Sequence, residues 1–325
     1  MKRRLFIYLI CLSLVFTLIS VPGNSKGAEI KYRVKMGSTL ALSFIVTYVA
    51  ISKKFFEEEG VEVQYIAFPG GARARDALIT GEIDFAMFGS AVIPIARIAG
   101  RPLKIVQTIY NLEIWGLIVR KDLRDRVKEV ADLKGMKVGV TAVGSTTWAF
   151  ASMAAKRAGL DPRRDISIIP VGGITTMYSA LKAGKIDATV AWDPLTVQAI
   201  LEGEAYPLID VQEPEQHKRF YGHGESISMA LTTREDVIKN NPDLVARMVR
   251  AHDKAMKWIK GRSLAEVVEA VRPFFKGMSE PVLAKAVERT LWGVPAEGSL
   301  SEKAYRVAMD PLVGEGVLKR PVPFE

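Results

Sequence analysis

Hydroxyl side chains stand where strands are expected to end and helices to begin. Ser38 and Thr39 follow the run YRVKMG, Ser90 follows IDFAMF, and Ser145 and Thr146 precede an apolar-periodic run. Hydroxyls and free backbone N–H groups at a helix start bind anions, and the helix dipole adds about 0.3 to 1 kcal/mol. These positions predict contacts to an anionic group. Ordinary N-capping by serine and threonine stays open at each of them.

Aromatic, glycine and arginine residues near the same loops could complete a ligand site. Phe68, Trp115 and Trp192 could wall the apolar body of a ligand. Gly70 lies in a glycine turn before a predicted helix, and Arg73 lies at the start of that helix. Arg73 could therefore pair with an anionic head group, although a solvated surface position is the alternative.

The triplet Trp192-Asp193-Pro194 suits a helix start, with aspartate as the cap and proline in the first turn. A carboxylate that faced an anionic ligand would repel it. Asp193 is therefore expected either to cap its helix or to pair with an amine on a zwitterion such as taurine.

Patterns for catalysis and metal binding are missing from the sequence. The only cysteine, Cys11, lies in the N-terminal apolar run, so the rest of the chain has no disulfide, thiol nucleophile or thiolate ligand. There is no Gly-x-Ser-x-Gly, and His217, His223 and His252 do not have the spacing of a helical metal pair. We expect no catalytic residue, no metal site and no cofactor.

The stretch TGEIDFAMFGSA, from Thr80 to Ala91, returns in most of its pattern as AGKIDATVAWDP, from Ala183 to Pro194. Both copies follow an Ala-Leu pair and keep Gly-x-Ile-Asp. Asp84 and Asp187 are expected at strand starts, where they act as capping or turn residues and not as ligand contacts. An internal repeat of this kind predicts two similar units.

The residue pattern of each copy predicts the order strand, helix, strand, helix, strand. In the first copy the strands are predicted over Tyr32 to Gly37, Val61 to Phe68 and Ile83 to Phe88, with helices over Phe44 to Glu59 and up to Gly81. Helices between strands force parallel pairing and right-handed crossovers, so each copy should form a compact α/β lobe. The chain crosses to the second lobe near the turn NLEI and returns near SISMAL, and two crossings form a hinge.

The N-terminus has the order of a secretory signal. Lys2, Arg3 and Arg4 precede the apolar run LFIYLICLSLVFTLIS and a small-residue region, which predicts a signal peptide over residues 1–27. A permanent membrane anchor is the alternative, but about sixteen apolar residues are few for a span. Residues 1–27 hold four of the 45 basic residues and none of the 36 acidic ones, so the remainder carries a formal charge of +5. That charge is too diffuse to indicate nucleic-acid binding.

Three ordered stretches carry a resemblance to a known family: VADLKGMKVGV, GSTTWAFASMAAKRAGLDPRRDI and ALKAGKIDATVAWDP. From about Tyr32 onwards the chain resembles the substrate-binding proteins of ABC importers for sulfonates, nitrate, taurine and thiamine precursors. The resemblance implies a type II periplasmic-binding-protein fold, with two doubly wound α/β lobes joined by two hinge crossings. Lobe 1 would contain residues 28–118 and 220–325, with the C-terminal helices, and lobe 2 residues 119–219.

The resemblance also implies a function. A periplasmic or extracytoplasmic monomer would capture a small organic anion, such as a sulfonate or taurine, between its lobes and deliver it to an ABC permease at the membrane. A neutral thiamine-precursor pyrimidine is the alternative ligand. An enzyme of pyrimidine-precursor synthesis shares the fold, but the related fungal enzymes use a cysteine cluster that this chain lacks. The effector-binding module of a transcription regulator is a further alternative, against which the export signal argues.

Overall fold

The computed structural model describes residues 29–325, except residues 102, 223–225, 315, 317 and 325. The predicted signal peptide at residues 1–27 and the histidine at position 223 lie outside the described residues. None of the helices in the described part is long and apolar enough to cross a membrane.

The first of two five-stranded sheets is built from strands at both ends of the described chain: β1 (Tyr32–Thr39), β2 (Val61–Phe68), β3 (Phe85–Gly89), β4 (Leu103–Tyr110) and β10 (Met229–Arg234). Their spatial order is β2-β1-β3-β10-β4. β1 pairs in parallel with β2 and β3, while β10 runs antiparallel to β3 and β4. The chain therefore leaves this sheet after β4 and returns to it with β10.

The second sheet contains the strands between those two points: β5 (Gly116–Arg120), β6 (Lys137–Val140), β7 (Ser167–Pro170), β8 (Ala188–Ala191) and β9 (Ala205–Ile209). Their order, β7-β6-β8-β5-β9, repeats the arrangement of the first sheet. β6 is parallel to β7 and β8, and β5 is antiparallel to β8 and β9. In each sheet the strand that runs antiparallel to both of its neighbours, β10 or β5, is the first strand after the chain crosses from the other sheet.

Helices join the strands of both sheets. Those of the first sheet are α1 (Ile45–Ser52), α2 (Phe55–Glu58), α3 (Gly71–Thr80) and α4 (Val92–Ile98). Those of the second are α5 (Thr146–Arg157), α6 (Ile174–Lys182), α7 (Leu195–Leu201) and α8 (Pro214–Tyr221). After β10 come α9 (Glu235–Asn240), α10 (Pro242–Lys260), α11 (Leu264–Val271), α12 (Glu280–Thr290) and α13 (Glu302–Gly314).

The helix predicted over Phe44 to Glu59 is divided into α1 and α2. Lys54 has a backbone φ of 60°, in the left-handed region, and it lies between the two helices. A left-handed residue cannot continue a right-handed helix. The prediction of one continuous helix was wrong because the apolar spacing continues across the break and gives no sign of it.

Two short connections join the sheets. Residues 111–115 lead from β4 to β5, and residues 226–228 lead into β10. The N–H groups of Ser226 and Ser228 donate to the carbonyl oxygens of Asn111 (2.7 Å) and Tyr110 (3.2 Å), so the connections are hydrogen-bonded to each other. Pairing of β5 within the second sheet begins at Gly116, so the boundary predicted after residue 118 falls inside this strand. The residue limits of the two lobes stay a prediction.

The repeated Gly-x-Ile-Asp has the same structural role in both copies. The carboxylate of Asp84 accepts from the N–H of Lys35 (2.8 Å), and that of Asp187 accepts from the N–H of Lys137 (2.9 Å). Each aspartate thus binds the backbone of the central parallel strand of its own sheet, at Lys35 within β1 and at Lys137 at the start of β6. The interpretation of both residues as structural, and not as ligand contacts, agrees with these bonds.

The longest helix, α10, packs one face on α1. Its buried residues fall three or four positions apart, which is the spacing of one apolar face: Leu244, Met248, Ala251, Ala255 and Ile259. His252 is fully buried on the same helix. Its Nδ1–H donates to the carbonyl oxygen of Met248 (2.8 Å), and its Nε2 accepts from the hydroxyl of Thr47 on α1 (2.9 Å). The neutral imidazole thus uses both of its ring nitrogens in hydrogen bonds.

Acidification is expected to destabilise the fold through His252. Burial lowers its pKa from 6.5 to about 4, so between these values the unfolded chain binds a proton that the folded chain does not. Above pH 6.5, the pKa of histidine in the unfolded chain, His252 does not lower the free energy of unfolding. As the pH drops below this value the free energy of unfolding decreases, by about 2 kcal/mol at roughly pH 5. Urea unfolding across this range measures the slope. The His252→Gln variant should lose this part of the slope, and an unchanged slope would show that another group is responsible.

Candidate functional site

The carboxyl ends of the central strands of both sheets meet at one small cavity. Thr39 and Gly89 border it at the ends of β1 and β3, and Thr141 and Trp192 border it just after β6 and β8. Ligands of open α/β sheets bind beyond the carboxyl ends of the strands, so this is the expected place for a site. The cavity measures ≈ 20 Å³. Below, we call it the cleft cavity.

A second cavity of ≈ 40 Å³, the hinge cavity, has Trp115 and Thr146 in common with the cleft cavity. Ser90, Glu113 and Tyr221 also border it. One water molecule needs about 10 to 15 Å³ on this measure. The two cavities together therefore have room for a handful of water-sized groups.

Three buried donor groups border the cleft cavity without a hydrogen-bond partner in the described part of the chain. They are the hydroxyls of Ser43 and Thr146 and the indole N–H of Trp115. Ser43 follows β1, Thr146 begins α5 of the second sheet, and Trp115 lies in the connection between the sheets. A buried polar group that lacks a partner costs about 1 to 3 kcal/mol. The arrangement can therefore bind a group with several hydrogen-bond acceptors.

Other hydroxyls at the start of α5 are used within the protein. The Ser145 hydroxyl accepts from the N–H of Trp148 (3.2 Å), which is the N-cap bond of α5. The Thr147 hydroxyl lies 2.8 Å from that of Ser145 and 3.0 Å from that of Thr141. Ser145 thus caps its helix and borders the cleft cavity as well, while the Thr146 hydroxyl has no partner among the described residues.

Trp192 joins the two sides of the cleft. Its ring is buried, and its Nε1–H donates to the carbonyl oxygen of Leu40 after β1 (3.1 Å). The rings of Trp115 and Trp192 meet edge to face, with centroids 5.5 Å apart. This pair forms an aromatic wall of the cleft cavity. The contact of both rings with the apolar body of a ligand stays a prediction.

Asp193 has a partner that the sequence did not indicate. Its carboxylate accepts from Nε of Arg289 on α12 (2.9 Å). Burial raises the pKa of Asp193, and the guanidinium of Arg289 opposes that rise. The backbone N–H of Val197, in the first turn of α7, also lowers its pKa. Asp210 and Glu213 also accept from Arg289, at 2.6 and 2.8 Å. The charge of Asp193 is therefore compensated inside the protein.

The predicted site residues divide into two groups. Those that border the cleft cavity or the hinge cavity are Thr39, Ser90, Trp115, Ser145, Thr146 and Trp192. Those that border neither cavity are Ser38, Phe68, Gly70, Arg73 and Asp193.

Local geometry explains the second group. Ser38 and Thr39 are neighbours on β1, so their side chains point to opposite faces, and the Ser38 hydroxyl lies 2.6 Å from that of Tyr65. Arg73 is exposed on α3. Gly70 contacts the other side of the cleft at Thr141, where an added Cβ would lie 2.8 Å from the threonine Cβ.

Sequence reasoning missed Ser43, Glu113 and Thr141. Ser43 directly precedes the helix predicted from Phe44, and Thr141 is the second-to-last residue of the run MKVGVTA. Glu113 stands between Leu112 and Ile114 in the connecting turn, and this isolated charge in an apolar run was an available signal. Among the described residues there is no group of three histidine, cysteine, aspartate or glutamate side chains placed to hold a metal ion.

Comparison with known proteins identifies the family of this chain. The NMT1/THI5 like family matches residues 42–262. The chain belongs to this family. YtlA of Bacillus subtilis (strain 168), a relative named for a binding role, is 22% identical over 342 residues, covering 100% of this chain and 95% of YtlA.

Two solved structures show the likeness of the fold. The alkanesulfonate-binding protein SsuA from Xanthomonas axonopodis pv. citri, bound to MOPS, has a TM-score of 0.70 at 21% identity, covering 87% of this chain and 93% of SsuA. The CA3427 product of Candida albicans, described as having the generic periplasmic binding protein fold, has a TM-score of 0.71 at 15% identity, covering 89% and 92%. The predicted fold, two α/β lobes of a periplasmic binding protein, is confirmed.

Proposed function

We propose that this protein is the extracytoplasmic solute-binding component of an ABC importer, which captures a small organic anion between its lobes and delivers it to a permease. The observation that carries the proposal is the set of three buried donors without partners, Ser43, Trp115 and Thr146, on one cavity between the sheets. A sulfonate or carboxylate supplies several acceptor oxygens to such a set. Export through the predicted signal peptide places the protein outside the cytoplasm.

The electrostatics of the cleft support an anionic head group. The N-terminus of α5, a helix of 12 residues, begins at the cavity with Thr146, and a helix N-terminus favours negative charge. No arginine or lysine among the described residues borders the cleft cavity. Neutral donors and the helix dipole would therefore bind the head group, with Thr39 and Ser145 beside them. One structural neighbour is named for alkanesulfonate binding, which supports the same ligand class.

A thermal-shift screen tests the ligand class. The panel contains ethanesulfonate, taurine, nitrate, propionate and a neutral aminopyrimidine, and a ligand at 100 times its Kd stabilises the folded state by about 2.7 kcal/mol. We expect a shift with at least one sulfonate or carboxylate. Stabilisation by the aminopyrimidine alone would overturn the assignment of an anionic ligand and leave the binding role intact.

The variant Thr146→Val should bind the best sulfonate of that panel about 10- to 150-fold more weakly, because a hydrogen bond to a charged group contributes about 1.5 to 3 kcal/mol. Calorimetric titration measures the change. Without ligand the variant should be as stable as the parent or more stable, since it removes a hydroxyl that lacks a partner.

Thr232→Val is the matched control. The Thr232 hydroxyl is also buried without a partner in the described residues, but it borders neither cavity. This control should leave the affinity unchanged. Equal losses in both variants would show that the effect of Thr146 is not a contact with ligand.

A further inference from the structure

The hinge cavity has an acidic side that the anion-binding proposal does not use. Glu113 lies in the connection between β4 and β5 and borders this cavity. Part of the residue is exposed, but its carboxyl group is buried. The walls around it are mostly apolar and come from α5 and α13: Ala149, Phe150, Met153, Val307, Ala308 and Leu312. A carboxylate in apolar surroundings is costly unless a hydrogen-bond donor or a cation compensates its charge.

The carboxyl group of Glu113 is fixed in place by the other connection. Its Oε1 accepts from the hydroxyl of Ser226 (3.0 Å) and its Oε2 accepts from the hydroxyl of Ser228 (3.3 Å). Both serines are buried, and their backbone N–H groups bind the chain at Tyr110 and Asn111. The carboxylate is thus held at the hinge by both crossings of the chain.

The hydroxyls of Ser226 and Ser228 do not use all the hydrogen-bond acceptor capacity of the Glu113 carboxylate. Each carboxylate oxygen accepts about two hydrogen bonds, so each retains capacity for one more donor. No basic side chain in the described part of the chain forms an ion pair with Glu113. Burial raises the pKa of Glu113 to about 7, which is the behaviour of a carboxylate that lacks a cation. Asp193, by contrast, has Arg289.

We propose that Glu113 binds a protonated amine of the ligand, so that the captured solute is a small zwitterion. Its anionic head would bind at Ser43, Trp115 and Thr146, and its ammonium group would enter the hinge cavity and donate to Glu113. Trp115 and Thr146 border both cavities, which places the two charge sites next to each other. The limited space agrees with an aminosulfonate or amino acid of few atoms. This inference rests on the proposed function and moves the amine contact from Asp193 to Glu113.

Matched ligand pairs test the inference on the unmodified protein. Taurine is compared with ethanesulfonate, and β-alanine with propionate, by calorimetric titration near neutral pH. In at least one pair the amine-bearing compound should bind at least roughly 30-fold more tightly, the lower end of the cost of removing one partner from a buried, hydrogen-bonded charge pair. Equal affinities, or a preference for the compound without the amine, would overturn the role of Glu113 while the proposed function stands. Failure of all four compounds to bind would overturn the anionic ligand class and, with it, the role of Glu113.

The variant Glu113→Gln separates ligand contact from a structural role. Glutamine keeps an acceptor oxygen for the serines but removes the charge. We expect the preference for the amine to fall at least roughly 30-fold, while the compound without the amine binds equally well or better because repulsion is gone. An equal loss for both members of a pair would indicate that Glu113 only holds the hinge, and would contradict the proposal.

Discussion

Replacing Arg289 by methionine is expected to lower the free energy of unfolding by about 3 to 5 kcal/mol. The guanidinium binds the carboxylates of Asp193 and Asp210, whose side chains are 1% and 7% exposed. Without it, two buried negative charges would face each other with no cation between them. Removing one partner of a buried ion pair is costly because the remaining charge stays desolvated. Total stabilities of domains are about 5 to 15 kcal/mol, so the loss is a large share. Urea unfolding measures it.

Arg306→Met provides the matched control. Arg306 pairs with Glu302 four residues earlier on α13, and both side chains are more than half exposed. Exposed pairs of this kind contribute about 0 to 1 kcal/mol, so the same substitution should have little effect there. If the two variants lost equal stability, the Arg289 cluster would be no more than a surface interaction.

Much of the fold could be predicted from the sequence because its signals are local. The strand at Val61–Phe68 alternates along the chain, and the glycine pair at Gly70 and Gly71 stands at the start of α3. The repeat predicted two similar units, and the two sheets have equivalent strand orders. Both aspartates of Gly-x-Ile-Asp bind the neighbouring strand. The break at Lys54 could not be predicted, because packing imposes it on a sequence that suits a continuous helix.

The site was only partly predictable because its decisive contacts join distant residues. Thr39, Ser145 and Thr146 followed from the rule for helix starts. Arg289 is 96 residues from Asp193, and no local pattern relates them. The burial of Glu113 likewise depends on α13 and on the return crossing, both far along the chain. Charges in predicted turns are usually solvated, so only the three-dimensional packing shows that this one borders a cavity.

Glycines at the cleft allow the two lobes to approach each other closely. An added Cβ at Gly70 would lie 2.8 Å from the Cβ of Thr141 and 3.0 Å from its hydroxyl. The glycine of the second copy, Gly173, lies just as near to the first lobe, since a Cβ there would be 3.1 Å from the carbonyl oxygen of Pro69. Each copy of the repeat thus places a glycine against the other lobe. Gly70 has an extended φ of 175°, so space alone requires glycine there.

The variant Gly70→Ala is therefore expected to hinder closure and weaken ligand binding. Thr141 cannot turn away, because the clash involves its Cβ and its hydroxyl bonds Thr147. Overpacking costs about 1 to 3 kcal/mol. When this free-energy cost destabilises only the closed state, the ligand affinity drops about 5- to 150-fold. Titration with taurine and ethanesulfonate measures the affinity, and small-angle scattering should give a larger radius of gyration than that of the parent protein. Gly314→Ala, where an added Cβ meets nothing within 4 Å, should match the parent in both measurements. Parent-like affinity and radius in Gly70→Ala would mean that ligand is bound without closure of the lobes at this contact.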